Sequence, residues 1–307
     1  MTFSLLARDP GTGHLGLATA THAYGVGPVA DHTRPGVGVI ATQSFVEVSY
    51  GPRGLDLLEQ GVPAAEALAK LLAEDEDSDI RQVAYLDTTG ALAEHTGSRC
   101  VPSCGSVVDG SVIAIGNMLD NHGVLPAMVE AFGQAGGDLA DRLLAGLAAG
   151  DAAGGDARGR MSAALRVVSG ERPENAWQGT VADLRVDVDP EPISRLRESL
   201  RYHRAYGIFF ESVFAPGLVT GSEPVLGDDL ERALDGLAAT QAELGDDPEP
   251  TAWQGVLLLR AGRIEEGAAL LARAIEVRPQ LAHFVDGLAQ VGTIPFGSAE
   301  ILRRVAP

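Results

Sequence analysis

Residues 1–23 read MTFSLLARDPGTGHLGLATATHA, and the reading of this stretch decides the fold. Phe3 to Arg8 suits a short strand, Asp9 to Gly13 is dense in turn formers, and Leu15 to Thr21 resumes strand-like alternation. The pattern predicts a β-hairpin at the start of the chain. Directly behind Met1 stands Thr2. Cellular aminopeptidases remove an initiator methionine readily when the next side chain is small, which would leave a hydroxyl nucleophile and a free α-amine on one residue. Such an amine has a pKa of about 7.7–8.0 and can act as the general base for its own hydroxyl. Threonine is also a common second residue, so the catalytic reading needs support from the rest of the chain.

The same stretch contains GTGHLG, with Gly11, Gly13 and Gly16 matching the spacing of a dinucleotide-binding turn. That motif works only when a helix follows it and places its positive N-terminus under a pyrophosphate. Here LATATHAYGVGP follows, with two threonines, two glycines and a proline, which is a poor helix and a good strand plus loop. The glycines are therefore assigned to the hairpin.

Outward from the hairpin, Gly36 to Phe45 is rich in β-branched residues, and helical spacing begins at Leu55 and continues through AAEALAKLL. Arg81 to Leu86 and Ser111 to Ile115 read as strands. A long helix is expected over Leu125 to Ala149, broken by Gly136 and Gly137, followed by strands at Ala163 to Val168 and Leu184 to Val188. The order implies a layered α+β domain over 1–198. Beyond it, 199–307 reads as almost pure helix. There TAWQGVLLLRAGRIEEGAALLARAIEVRP places small residues at Gly255, Gly262, Gly267 and Ala274 and ends at Pro279, which resembles one tetratricopeptide-type helix pair. One such pair cannot bury its face alone, so Leu230 to Leu244 and Leu281 to Val291 should pack on it, or a second subunit should.

The chain has 307 residues, 45% hydrophobic and 21% charged, long enough to bury a substantial core. A net charge of −19 excludes the positive footprint that nucleic acid and anionic membranes require. No apolar run approaches a membrane span, and no basic, hydrophobic leader is present, so a cytoplasmic protein is expected. Metal and nucleotide signals are weak. Cys100 and Cys104 in CVPSC fit neither a redox pair nor a complete zinc set. EDEDSD resembles the start of a calcium loop, but Ile80 and Leu86 stand where glycine and glutamate are needed. His14, His22, His32, His95 and His122 form no i, i+4 pair, and neither a G-x-S-x-G elbow nor a P-loop occurs. No metal and no organic cofactor are expected.

Four blocks, TFSLLARDPGTGHLG at 2–16, ATQSFVEVSYGPRGLDLL at 41–58, GNML at 116–119 and AGDAAGGDARGRMSAALRVV at 149–168, make the chain resemble the bacterial DUF1028 family. The resemblance covers roughly the first 200 residues. It implies the fold of the N-terminal nucleophile hydrolases, a four-layer αββα sandwich whose first strand delivers the terminal residue into a cleft. Thr2 would then attack an amide carbonyl, with its α-amine accepting the proton. By topology, Thr21 and His22 after the second strand and Gln43 and Ser44 before the first helix should lie near Thr2 and contact substrate. Asn117 in GNML is a candidate oxyanion donor or a turn-forming asparagine. Asp156 and Arg158 in GGDARG would bind the terminal amine or a substrate carboxylate, or pair with each other to fix a glycine-rich loop. Proteasome-type threonine hydrolases place a lysine beside the nucleophile, whereas the only lysine here, Lys70, belongs to a helix ending in an acidic turn. An arginine would have to take its place.

The expected function is that of an amidohydrolase acting on a small amide or peptide bond. Its competitor is a non-catalytic ligand-binding or scaffold protein whose helical tail docks a protein partner. A homodimer is the expected assembly in either case.

Overall fold

The computed structural model describes residues 2–214, 219 and 226–306, which form two compact units, Met1–Leu200 and Arg201–Pro307. The first unit is a mixed α/β structure built around antiparallel sheets. Strands β1 (Thr2–Arg8) and β2 (Leu15–Thr21) make the hairpin, pairing Ser4 with Thr19 and Arg8 with Leu15. Its turn is closed by Asp9, whose backbone N–H donates to the His14 carbonyl and whose carboxylate accepts from Thr12, while Gly13 takes a φ of +74°. Glycine suits that left-handed position because it has no Cβ to clash. Gly16, inside β2, leaves space for a helix: a Cβ there would meet Leu143 Cδ1 at 2.6 Å. All three glycines of the apparent nucleotide motif thus serve the hairpin and its packing.

Four further strands extend this sheet and set its register. Strands β8 (Val112–Asn117) and β7 (Gly105–Asp109) lie beyond β1, and β9 (Ser162–Val168) and β10 (Thr180–Val186) beyond β2, giving the order β10-β9-β2-β1-β8-β7. A second sheet, in the order β3-β4-β5-β6, is formed by β3 (Asp31–Arg34), β4 (Gly38–Ser44), β5 (Arg81–Asp87) and β6 (Leu92–Thr96). Leu6, Leu15, Leu17, Ile113 and Ile115 of the large sheet share one apolar cluster with Val39, Ala41, Ala84 and Leu86 of the small one. The alternate residues Phe3, Leu5 and Ala7 pack instead with Met128 of α4 (Val124–Gln134) and Leu143 and Leu147 of α5 (Leu139–Ala152). Both faces of β1 are therefore buried, which explains the continuous apolar run inside it. Helices α2 (Tyr50–Glu59) and α3 (Ala64–Glu74) cover Ile40, Val83 and Tyr85 on the small sheet. Among the described residues the one remaining α-helix before residue 192 is the short α1 (Gly27–Ala30).

The expected long helix is two helices. Gly137 turns at a φ of +92° and Asp138 starts α5 with a capping box, its side chain accepting from Asp141 N at 3.1 Å. Strand β10 begins at Thr180, four residues before the expected Leu184, and β3, β6 and β7 are additional to the strands anticipated. These three are short and partly exposed, and polar residues make up all of DHTR and most of LAEHT. Their pairing comes from neighbouring strands, so their own composition gives little periodic signal.

Helix α6 (Pro192–Val213) contributes Ile193, Leu196 and Leu200 to the first core and Phe209 and Val213 to the core of the second unit. That second unit is helical, with α7 (Asp228–Leu244), α8 (Glu249–Arg260), α9 (Ile264–Val277), α10 (Leu281–Gln290) and α11 (Ser298–Val305) around Leu237, Val256, Leu271 and Val285. Gly255 and Gly267 bring α8 and α9 close: a Cβ on either would lie within 3.0 Å of the other's carbonyl oxygen. Among the described residues no helix is long and apolar enough to cross a membrane.

Candidate functional site

The layer between the sheets changes character along its length. From inside to the end, β1 contributes Leu6, Ser4 and Thr2; the partners of Leu6 are Leu17 and Ile113, those of Ser4 are Thr19 and Ile115, and Thr2 stands beside Asn117. On the small sheet the corresponding pairs are Val39 with Leu86, Ala41 with Ala84, and Gln43 with Gln82. Thr21, paired with Ser162, completes the final row. Side chains of one face recur every second residue, so an aliphatic core gives way within three steps to hydroxyls and amides.

These end-row groups are buried and hydrogen-bonded to one another. Thr2 is 8% exposed, and Gln43, Gln82 and Asn117 are essentially inaccessible. Thr2 Oγ1 donates to Thr21 Oγ1 at 3.2 Å, and Gln43 Nε2 donates to the Thr2 carbonyl at 3.1 Å and to Gln82 Oε1 at 2.7 Å. Gln82 Oε1 also accepts from Asn117 Nδ2 at 3.0 Å. Its Nε2 donates in turn to the Gly116 and Gly105 carbonyls, at 2.9 and 3.1 Å, and faces Thr96 Oγ1 at 3.0 Å. Asn117 Oδ1 is buried with no hydrogen-bond partner. The residue opposite Thr2 thus presents an open acceptor.

One row deeper, Ser4 Oγ donates to Gln43 Oε1 at 2.7 Å and lies 2.8 Å from Thr19 Oγ1, which is 2.7 Å from Asp31 Oδ1. Asp31 is buried, its Oδ2 has no partner, and burial pushes its carboxyl up to about 7, against the opposing pull of the Thr19 contact and the Arg166 charge. Arg166 donates through Nη1 to the Asp31 carbonyl at 2.8 Å and pairs through Nε with Asp183 at 3.1 Å.

Two non-glycine residues with left-handed backbone follow directly on this row: Ser44 with φ 73° and Met118 with φ 51°. Such positions cost of order 1–3 kcal/mol and persist only where the surroundings hold them. Past Met118, Leu119 forms a β-bridge to Asp156 and its N–H donates to the Ser103 carbonyl at 2.9 Å. Asp156 Oδ2 accepts from His22 N at 2.7 Å, while Arg158 holds the same carboxylate through its backbone N, Nε and Nη2 at 2.9, 3.3 and 3.2 Å. The glycine-rich loop, with Gly154 and Gly155 both at positive φ, is thereby fastened to the ends of β2 and β8 on either side of β1.

The sequence pattern of a family of unknown function (DUF1028) matches residues 2–196. The chain belongs to the DUF1028 family. Protein SPO2555 from Silicibacter pomeroyi, a DUF1028 protein with a crystal structure, is 36% identical with a TM-score of 0.60, over 66% of this chain and 85% of that one. Anbu, the ancestral beta-subunit from Yersinia bercovieri, aligns at 13% identity and a TM-score of 0.31 over 72% of this chain and 99% of its own, a likeness too slight for any conclusion. No curated protein matches the chain.

In this DUF1028 protein, Thr2, Thr21, Gln43 and Asn117 meet in the hydrogen-bonded end row. Ser44 adjoins it through the backbone, with its Oγ buried and unpartnered. His22 joins the neighbouring loop by its backbone N–H, and its ring Nδ1 lies 3.2 Å from the Arg160 carbonyl. Asp156 and Arg158 form an ion pair in that loop, and Lys70 is exposed on α3. Sequence reasoning missed Ser4, Thr19, Asp31 and Gln82. Three of them left a trace: Ser4, Thr19 and Gln82 are polar at strand positions whose alternation faces inward. Asp31 left none, because β3 itself was not anticipated.

Proposed function

We propose that this DUF1028 protein is an N-terminal threonine amidohydrolase, with the four-layer αββα arrangement of the N-terminal nucleophile hydrolases, and that Thr2 is its nucleophile once Met1 has been removed. The observation that carries this reading is the position of Thr2. It ends β1 in the polar row, touches Thr21 through its hydroxyl, and stands opposite the open Asn117 acceptor.

In the proposed reaction Thr2 Oγ attacks the carbonyl carbon of an amide while the α-amine takes the hydroxyl proton. The C–N bond then breaks, the proton passes to the departing nitrogen, and an ester to Thr2 remains for water to hydrolyse. Asn117 has two assignments. Oδ1 would accept from the α-ammonium and orient it, and the N–H of Nδ2 not directed at Gln82 is available to an oxyanion. Thr21, His22, Gln43 and Ser44 would line the approach, and Asp156 with Arg158 would anchor the loop or meet a substrate carboxylate. The substrate would be a small amide or peptide and no cofactor would take part. The helical unit, with α8 and α9 as a tetratricopeptide-like pair, would serve a protein partner, in a cytoplasmic homodimer.

Intact mass decides the first step: the purified chain is expected to lack Met1, and a chain that retains it has no amine on residue 2 and cannot follow this course. In the processed protein, Thr2→Ala should abolish turnover of amide substrates with the fold preserved, whereas Thr2→Ser should keep a measurable rate. Unchanged turnover in the alanine variant would remove Thr2 from the chemistry.

A further inference from the structure

Protons can be counted in the buried chain that runs from Asp31 to Thr2. The starting point is Gln82, whose side-chain amide has only one possible orientation. Two backbone carbonyls, of Gly105 and Gly116, lie within 3.1 Å of one terminal atom, so that atom must be the nitrogen and the other, Oε1, the acceptor. Gln43 must therefore present its nitrogen to Gln82 Oε1, which also suits the Thr2 carbonyl 3.1 Å away. Its own oxygen is left facing Ser4.

From there the direction propagates. Ser4 has one hydroxyl proton and gives it to Gln43 Oε1 at 2.7 Å. The contact from Ser4 to Thr19, 2.8 Å, can then be bridged only by the proton of Thr19. With that proton committed, nothing on Thr19 remains for Asp31 Oδ1 at 2.7 Å. Three oxygen–oxygen contacts of hydrogen-bond length need three protons and the two hydroxyls supply two. A carboxylate at Asp31 would leave one contact as bare repulsion between lone pairs.

We propose that Asp31 is a neutral carboxylic acid in the folded protein, donating at the head of a one-way hydrogen-bond chain Asp31→Thr19→Ser4→Gln43→Thr2, and that it is a positioning residue for Thr2. The surroundings agree with a neutral acid. Asp31 is 1% exposed with an unpartnered Oδ2, and burial pushes its carboxyl up to about 7. On its own strand stands His32, whose imidazole burial holds below its ordinary range. From β9 it faces Arg166, which is engaged with Asp183 of β10 and with the Asp31 backbone carbonyl. From α2 the charges are Arg53, Asp56 and Glu59; Asp56 and Glu59 pair with Arg34, and Arg53 with Glu74. Neither β4 nor α1 carries a titratable side chain. Loss of the Asp31 proton breaks the chain at one link and loosens the Gln43 amide that holds the Thr2 carbonyl. The protonation state stands on the geometry alone, and the positioning role rests on the reading of Thr2 as nucleophile.

The test follows the full-length protein by NMR through the acid-to-neutral range, with the Asp31 carboxyl carbon, the Gln43 side-chain amide and the Thr2 carbonyl carbon as probes. The expected result is a neutral-acid carboxyl signal persisting well above the ordinary carboxylate range, and Gln43 and Thr2 signals that shift together with it when it ionises. Asp31→Asn keeps a neutral donor toward Thr19, so its Gln43 and Thr2 signals should stay at the acid-form positions at every pH. An Asp31 already ionised at about pH 5, or Gln43 and Thr2 signals indifferent to its titration, would overturn the proposal, and the wild-type measurement suffices if the variant does not fold. Neither outcome depends on turnover, so failure here is distinct from failure of Thr2 as nucleophile.

Discussion

Gln82 joins more of the candidate site than any other single side chain, because one amide accepts from Gln43 and Asn117 and donates to the Gly105 and Gly116 carbonyls. Replacing it by methionine keeps the volume but strips every one of those groups of its partner inside a buried layer. An unsatisfied buried group costs roughly 1–3 kcal/mol, so Gln82→Met should lose at least about 3 kcal/mol in chemical denaturation. A loss below about 1 kcal/mol would mean that the amide is not what satisfies the row. Its position in RQVAYLD marks it as inward-facing by alternation, but these partners are 23 to 39 residues away in sequence. Nothing local in the sequence names them. Thr2 is the reverse case, since the chemistry proposed for it rests on its place behind Met1 and only its neighbours required the folded chain.

Among the elements, α4 and α5 show where local signals suffice and where packing takes over. The break between them is written in Gly136, Gly137 and the capping residue Asp138, whereas the closeness of their approach depends on Gly146. A Cβ at Gly146 would meet Leu5 Cδ2 at 2.5 Å and the Met128 carbonyl at 2.9 Å, so Gly146→Ala should force helix and sheet apart and cost about 1–3 kcal/mol. Gly133, exposed in α4 with nothing within 4 Å of a built Cβ, should respond oppositely. Alanine there gains about 0.4–1 kcal/mol, chiefly by restricting the unfolded chain. Parallel denaturation midpoints compare the two, and equal effects at both positions would refute the packing account. The strands divide in the same way. Buried strands β1, β2, β4, β5, β8 and β9 advertise themselves through apolar or β-branched runs, while β3, β6 and β7 are short and partly polar, and owe their form to the strand each pairs with.

At the scale of the whole molecule, the family match ends at residue 196, close to the boundary at Leu200, and each unit carries its own apolar core. In the helical unit Leu271 is fully buried between helices, in the same cluster as Trp253. Leu271→Ala should therefore destabilise that unit by about 2–5 kcal/mol, read from the unfolding transition of Trp253 fluorescence. An unshifted transition would show that the cluster does not hold the unit together. By itself the sequence determined the hairpin, the alternation of strand and helix, the acidic surface charge and the chemical identity of Thr2, because each is a matter of residue type and short-range spacing. The tertiary structure alone decided that Thr2, Gln43, Gln82 and Asn117 share one row, that Asn117 keeps an open acceptor, and that Asp31 has a proton to supply. The physical reason is that hydrogen bonds in a buried layer join strands far apart in sequence, and both their direction and the charge they tolerate depend on every partner being in place.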